Sequence, residues 1–220
     1  KSDLIFDINV SYFSIPPMGI RVCILSLILT FALTTMSGAR PVSYTGGSTM
    51  MYFSDNLKES VYYHYSPSYK YSLGLEWLKD KVQNENYAYL RYTHLLNRKN
   101  TQNSQRNLYF QSGISSEGID RNFIGMHGDW ETRRLFTGFG LKHVQADVKD
   151  YTKKYIQLGI APYLGDYGDL HTWFLIKTKT NSLTNEWNSY PVLKLFKGNF
   201  MVELGYDEND EWDAHLMYRF

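Results

Sequence analysis

A single cysteine, no cluster of positive charge and no sustained 3.6-residue period set the first limits on this 220-residue chain. Cys23 has no partner, so no disulfide framework holds the fold together. Basic and acidic residues nearly balance, for a net charge of +1, and they are dispersed, whereas a nucleic-acid footprint needs clustered positive charge. After residue 39 no stretch stays apolar for the ~18 residues that a membrane helix requires. No repeat, linker or second compositional regime divides the chain, and no motif calls for a cofactor. What is abundant is aromatic: 19 Tyr, 12 Phe and 5 Trp, at a mean hydropathy of only −0.40. Many aromatics in a polar chain suit alternating strands, and also the aromatic girdles of a membrane barrel. With 20% charged residues, a disordered chain is a poor fit.

The N-terminal region reads as a targeting segment. From Met18 the sequence runs MGIRVCILSLILTFALTTMSGARPV: a start-like Met, one Arg, a short apolar run, then small residues. That is the three-part pattern of a secretory signal peptide, with cleavage expected after Ala39. Residues 1–17 then read as an upstream extension, 18–39 as the signal peptide and 40–220 as the barrel domain. The alternative is an uncleaved anchor, although the run is short for a span. Cys23 lies too early in the apolar core for a lipoprotein site. Removing residues 1–39 takes away Lys1, Arg21, Asp3 and Asp7, two charges of each sign, so the balance stays at +1.

The rest alternates at period two. Strand-like runs lie near 47–54, 59–65, 69–78, 86–98, 105–114, 122–130, 133–146, 151–164, 169–179, 186–197, 199–206 and 211–220, each bounded by turn-forming residues. The expected fold is all-β: an antiparallel up-and-down transmembrane β-barrel of about twelve strands, with ten as the alternative count. In YSLGLEW, Tyr71, Leu73, Leu75 and Trp77 share one face; in KYIQLGI, Ile156, Leu158 and Ile160 do so; in FMVELGY, Phe200, Val202 and Leu204. The opposite face carries both signs of charge: Lys70, Glu76, Arg91, Asp129, Lys142, Lys194, Glu203 and Arg219 are the expected lumen-lining set.

Alternation alone does not say which face is outside. A secreted β-sandwich or lipocalin-like barrel would turn Leu73, Leu75, Leu158 and Leu204 inward. Three features favour lipid outside. The even-numbered connections are mostly tight and the odd-numbered ones generally longer, as expected of periplasmic turns and outer loops. Trp77, Trp130, Trp187 and Trp212 fall at strand ends on the apolar face, the depth that tryptophan prefers in a bilayer. Trp173 has lumen parity instead. The terminus HLMYRF places Ala214, Leu216, Tyr218 and Phe220 at alternate positions.

A final aromatic preceded by alternating apolar residues resembles the ending of bacterial outer-membrane β-barrel proteins. The signal peptide and strand rhythm extend that resemblance over the chain, and GDYGDLHTW resembles uncharacterised small barrels of marine Gram-negative bacteria, some encoded near metal-efflux systems. The resemblance implies an outer-membrane location and outer-membrane lipids as surroundings. It also implies recognition by the barrel-assembly machinery through Leu216, Tyr218 and Phe220. The leading functional expectation is a non-enzymatic, porin-like barrel: a narrow channel for small polar solutes, or a membrane scaffold. Two alternatives stand beside it. His64 and Ser66 share a strand face, as an acyl-transfer pair must, but Pro67 and Ser68 stand where outer-membrane lipases have Asn and Gly, so the pair reads more readily as lumen packing and a turn. Asp169 and His171, near Asp166, offer a carboxylate and an imidazole to a divalent metal, and His127, His215, Met201 and Met217 add softer donors without ligand spacing. Turn capping by the aspartates is the plainer account.

Overall fold

Period-two sequence makes strands, and these strands have no edge left over. The computed structural model describes residues 41–146, 149–166, 168–207 and 212–220, without the side chains of 119 and 120. Among these residues twelve strands form: β1 Ser48–Ser54, β2 Lys58–Ser68, β3 Tyr71–Asp80, β4 Glu85–Asn100, β5 Ser104–Ser115, β6 Gly118–Thr132, β7 Leu135–Val144, β8 Tyr151–Ile160, β9 His171–Asn181, β10 Trp187–Lys197, β11 Phe200–Tyr206 and β12 Trp212–Arg219. Each pairs antiparallel with its sequence neighbours, and β1 pairs with β12 in a closed barrel. The closing register sets Met51 opposite Met217 and Phe53 opposite His215. Beyond it, Ser48 and Phe220 exchange backbone hydrogen bonds of 2.9 and 3.0 Å. The count is twelve, not ten, and the strands lie within a few residues of the expected runs. The expected extension and signal peptide lie outside the described residues.

The faces answer the inside-out question. Leu75, Leu158, Ile176 and Phe174 are 55–63% exposed on the outer wall, while their strand neighbours Glu76, Gln157, Leu175 and Trp173 are buried. Leu73, Leu90, Ile114, Ile124, Phe139 and Leu141 extend the same apolar exterior. Water tolerates no continuous belt of this kind, and hydrocarbon does, provided that every backbone group is paired. Among the described residues no helix is long and apolar enough to cross a membrane. Trp77, Trp187 and Trp212 are exposed near one rim, and Trp130 near the other, alongside Tyr63, Tyr65, Tyr69 and Phe220.

The loops depart from expectation at one place. The longest connection, residues 161–170, lies at the end expected to hold mostly tight turns. Strand β8 stops at Ile160 because Pro162 supplies no ladder donor. The loop is tied to β9 by Tyr163, whose hydroxyl donates to the Leu170 carbonyl and lies 3.0 Å from Thr172 Oγ1. The other connections at this end, 69–70, 101–103, 133–134 and 198–199, are short.

Residues 41–47 fold back inside this same end. Val42 is buried against Leu95 and Tyr109. The Ser43 amide donates to Ser66 Oγ at 2.9 Å, and Ser72 Oγ donates to the Pro41 carbonyl at 3.2 Å. Gly46, at φ +84°, makes the reversal that lets the chain leave this floor and enter β1. Within the wall, Gly113 leaves room for the Phe123 ring, which an added Cβ would meet at 2.2 Å.

An arginine on the outer wall tests which solvent that wall faces. Leu158→Arg should lower equilibrium stability in lipid bilayers by about 2–4 kcal/mol, the cost of a cation near the bilayer midplane. Unchanged stability would mean that Leu158 does not meet hydrocarbon.

Candidate functional site

The inner faces of the strands enclose a cavity of about 810 Å³. Period-two alternation delivers its lining: in β2, Lys58, Ser60, Tyr62 and His64 point inward because Val61, Tyr63 and Tyr65 point out. Adjacent strands then bring inner residues side by side, and opposite charges meet across strands or across the lumen.

Glu76 of β3 is fully enclosed, at 0% exposure. Lys58 Nζ donates to its Oε1, Ser60 Oγ donates to the same oxygen at 2.7 Å, and Arg91 Nη1 donates to Oε2 at 2.9 Å. Arg91 continues to Gln111 Oε1 at 2.7 Å and lies 4.1 Å from the Tyr62 ring centroid. On another part of the wall Lys177 Nζ meets Asp213 at 2.7 Å, Lys179 approaches the same carboxylate, and the Tyr190 hydroxyl also donates to it. Lys194 pairs with Glu203 at 2.8 Å, with His215 Nδ1 at 3.7 Å on the other oxygen. Arg98 donates to Asn107, which donates in turn to Asp129 at 2.7 Å.

Asp55 belongs to the turn between β1 and β2, and its carboxylate receives Lys153 Nζ at 3.0 Å. Burial would raise this carboxyl, but the Lys153 and Lys58 charges outweigh burial and hold it well below the usual carboxylate range. The stabilisation this represents is present above the unfolded carboxylate's pKa, about 3.9, and is lost as pH falls towards the folded value.

The expected lumen set divides into three. Arg91, Asp129, Lys142, Lys194 and Glu203 line the cavity. Glu76 and Arg219 face inward but are buried in the wall packing. Lys70 requires a correction: it occupies the exposed two-residue turn after β2, its ammonium 5.8 Å from the Tyr69 ring centroid. The expected strand start at 69 placed it on a ladder that begins only at Tyr71.

The expected lumen-lining set left out Lys58, Lys153, Lys177 and Asp213. Each has inward parity with residues already read as inner, so the signal was present; their partners were not visible. Asp55 carried no parity signal, because it lies in a turn.

The weaker candidates separate as well. His64 and Ser66 are both fully buried, and Ser66 Oγ accepts the Ser43 amide, while neither His64 ring nitrogen has a hydrogen-bond partner. The two side chains share a face without the hydrogen bond that activates a nucleophile. Asp169 is exposed and accepts the Asp166 amide at 2.9 Å, a turn-capping role. His171 lines the cavity beside Phe196, with ring centroids 6.3 Å apart. Met201, Met217 and Met51 form a continuous inner row, packed with Tyr62. His215 stacks on Phe53 and His127 on Tyr109. No group of three or more His, Cys, Asp or Glu among the described residues is placed to hold a metal.

Removing the central acid should expose what it balances. Glu76→Gln leaves the Lys58 and Arg91 charges without their carboxylate and should cost about 3–5 kcal/mol, read from the urea midpoint of the heat-modifiable band. An unchanged midpoint would show that water reaches those cations freely.

No known family profile matches the sequence, and no curated protein matches it. Among solved structures, the barrel is similar to a KdgM porin, at 10% identity and TM-score 0.48, over 79% of this chain and 98% of that one. It is similar at 9% identity, with the same score and coverage, to the KdgM porin in complex with disordered oligogalacturonate. OccAB4 of Acinetobacter baumannii matches at 10% identity and TM-score 0.37, over 78% of this chain and 56% of that one. Similarity at that level decides neither function nor solute.

Proposed function

We propose that this chain is a non-enzymatic channel of a bacterial outer membrane that admits small polar solutes to the interior of its barrel. The observation that carries the reading is the division of surfaces. The outer wall is apolar, and the inner wall encloses about 810 Å³ edged by charges of both signs. Closed twelve-strand barrels are wide enough for a passage where side chains leave one. Here the passage is narrow: aromatic clusters around Tyr87, Tyr89, Phe123 and Tyr151, and the floor made by Val42, Leu95 and Tyr109, take up part of the lumen.

The location follows from the same features. A closed sheet with an apolar exterior and aromatic rims is the form in which β-structure crosses outer membranes. Residues 18–39 would supply export, and the outward-facing Leu216, Tyr218 and Phe220 of the closing strand would be what the assembly machinery reads. Trp77, Trp130, Trp187 and Trp212 would anchor the two rims among lipid headgroups. A scaffold with a closed lumen is the second reading, favoured by the buried packing at both ends. Lipid hydrolysis by His64 and Ser66 is disfavoured, because both are sealed from the outer wall and Ser66 Oγ already serves the floor.

Planar-bilayer recording on the refolded chain from residue 40 to 220 tests the channel. Discrete current steps are expected, and Lys177→Met and Lys194→Gln should shift ion preference towards cations. A folded, heat-modifiable protein without steps would overturn the channel and leave the scaffold. Ser66→Ala should leave phospholipid turnover at background, and a wild-type turnover abolished by it would restore the hydrolase.

A further inference from the structure

One part of the cavity wall gathers basic side chains, one of them without a paired carboxylate. Lys142 of β7 stands directly opposite Lys153 of β8 in the sheet register. Like charges in that position repel, and sheets ordinarily avoid them. Lys153 is offset by Asp55, reaching from the neighbouring turn. Lys142 has no such partner: among the described residues its ammonium makes no ion pair, and it lies 3.5 Å from the Phe123 ring centroid. Arg91 approaches the same ring at 5.2 Å, and the charges of Lys58, Arg91 and Lys153 act on Lys142 against the opposite charge of Glu76. Glu76 thus pairs with Lys58 and Arg91, and Asp55 with Lys153, while Lys142 is the basic side chain of this group without a paired carboxylate. All four cations line the cavity.

Two polar atoms beside them are also unsatisfied. Arg91 Nε and the Tyr62 hydroxyl are buried without hydrogen-bond partners. A buried donor without a partner costs free energy, and several around one cavity describe a site made for a ligand that accepts hydrogen bonds. The rings of Tyr62 and Tyr155 line the cavity as well, and would pack against a carbon skeleton.

We propose that Lys142, Lys153, Arg91 and Lys58 form a binding station for a small organic anion, whose oxyanion group, carboxylate or phosphate, lies against Lys142 and the unpartnered Nε of Arg91. This rests on the reading of the barrel as a solute channel and names the class of solute that it retains. The anion supplies the charge missing between Lys142 and Lys153, and charge-assisted hydrogen bonds of this type are the stronger ones. Binding stays moderate, because Glu76 and Asp55 remain in place and compete for the same cations.

The test is isothermal titration calorimetry on the refolded 40–220 chain in an uncharged detergent, with inorganic phosphate and with citrate as separate probes. Saturable binding of at least one in the low-millimolar range or tighter is expected, and the better probe tells phosphate from carboxylate. Lys142→Met should weaken it about tenfold or more, the scale of one hydrogen bond to a charged group. Lys70→Met, on the exposed turn, should leave it unchanged. Absence of saturable binding to a heat-modifiable wild type would overturn the station, as would a folded Lys142→Met that binds like wild type. Where Lys142→Met does not fold, Lys153→Gln is read in the same way. Calorimetry needs no current, so a missing conductance defeats the channel alone, and missing heat defeats the station alone.

Discussion

The pairing of β1 with β12 is the constraint on which the rest depends. Inside hydrocarbon each unpaired backbone N–H or C=O costs several kcal/mol, so an open edge is not available. The closing register, from Thr49–Arg219 to Ser54–Ala214, removes that edge. It also places the inner residues of the first and last strands in one row. Met51 meets Met217, and Phe53 meets His215, only because the chain ends return to each other.

Closure then creates the problem that the interior solves. Every second residue of each strand must point into a space of limited width, and several of these residues are charged. Most are handled by pairing: Glu76 between Lys58 and Arg91, Asp213 between Lys177 and Tyr190, Glu203 between Lys194 and His215. Such networks hold neighbouring strands in register as well as neutralising charge, because a slip by one residue would drive each charge into lipid. Aromatic rings fill what the ion pairs leave, and glycines such as Gly113 clear the space that the rings need.

The inner wall is therefore uneven. It is tightly packed near the 41–47 floor and around the tyrosine cluster at the other end, and beside them the cavity runs from the 101–103 and 133–134 turns to Asp55 and Tyr151. Paired charges form a stable wall there. Lys142 is different: it stands opposite Lys153, faces the cavity and has no ion pair among the described residues. Stability and recognition thus use the same residue types, and they differ only in whether a protein carboxylate is within reach.

The sequence by itself determined the strands, their approximate bounds and the two faces of each, because side-chain direction in a strand repeats every two residues and needs no distant partner. It also marked Trp77, Trp130, Trp187 and Trp212 as belonging to the apolar face, and Arg91, Lys142 and Glu203 to the polar one. Other matters waited for the tertiary structure. Lys70 has the composition of a wall residue but sits in a turn, and a turn's end shifts parity by a single position. The 161–170 loop is longer than its end of the barrel suggested, because Pro162 stops the ladder early. Whether Lys153 would face Asp55 or Lys142, and whether Ser66 would meet His64 or the Ser43 amide, depended on residues far apart in the chain. Local alternation specifies which way a side chain points; only the closed sheet and its register specify what it points at.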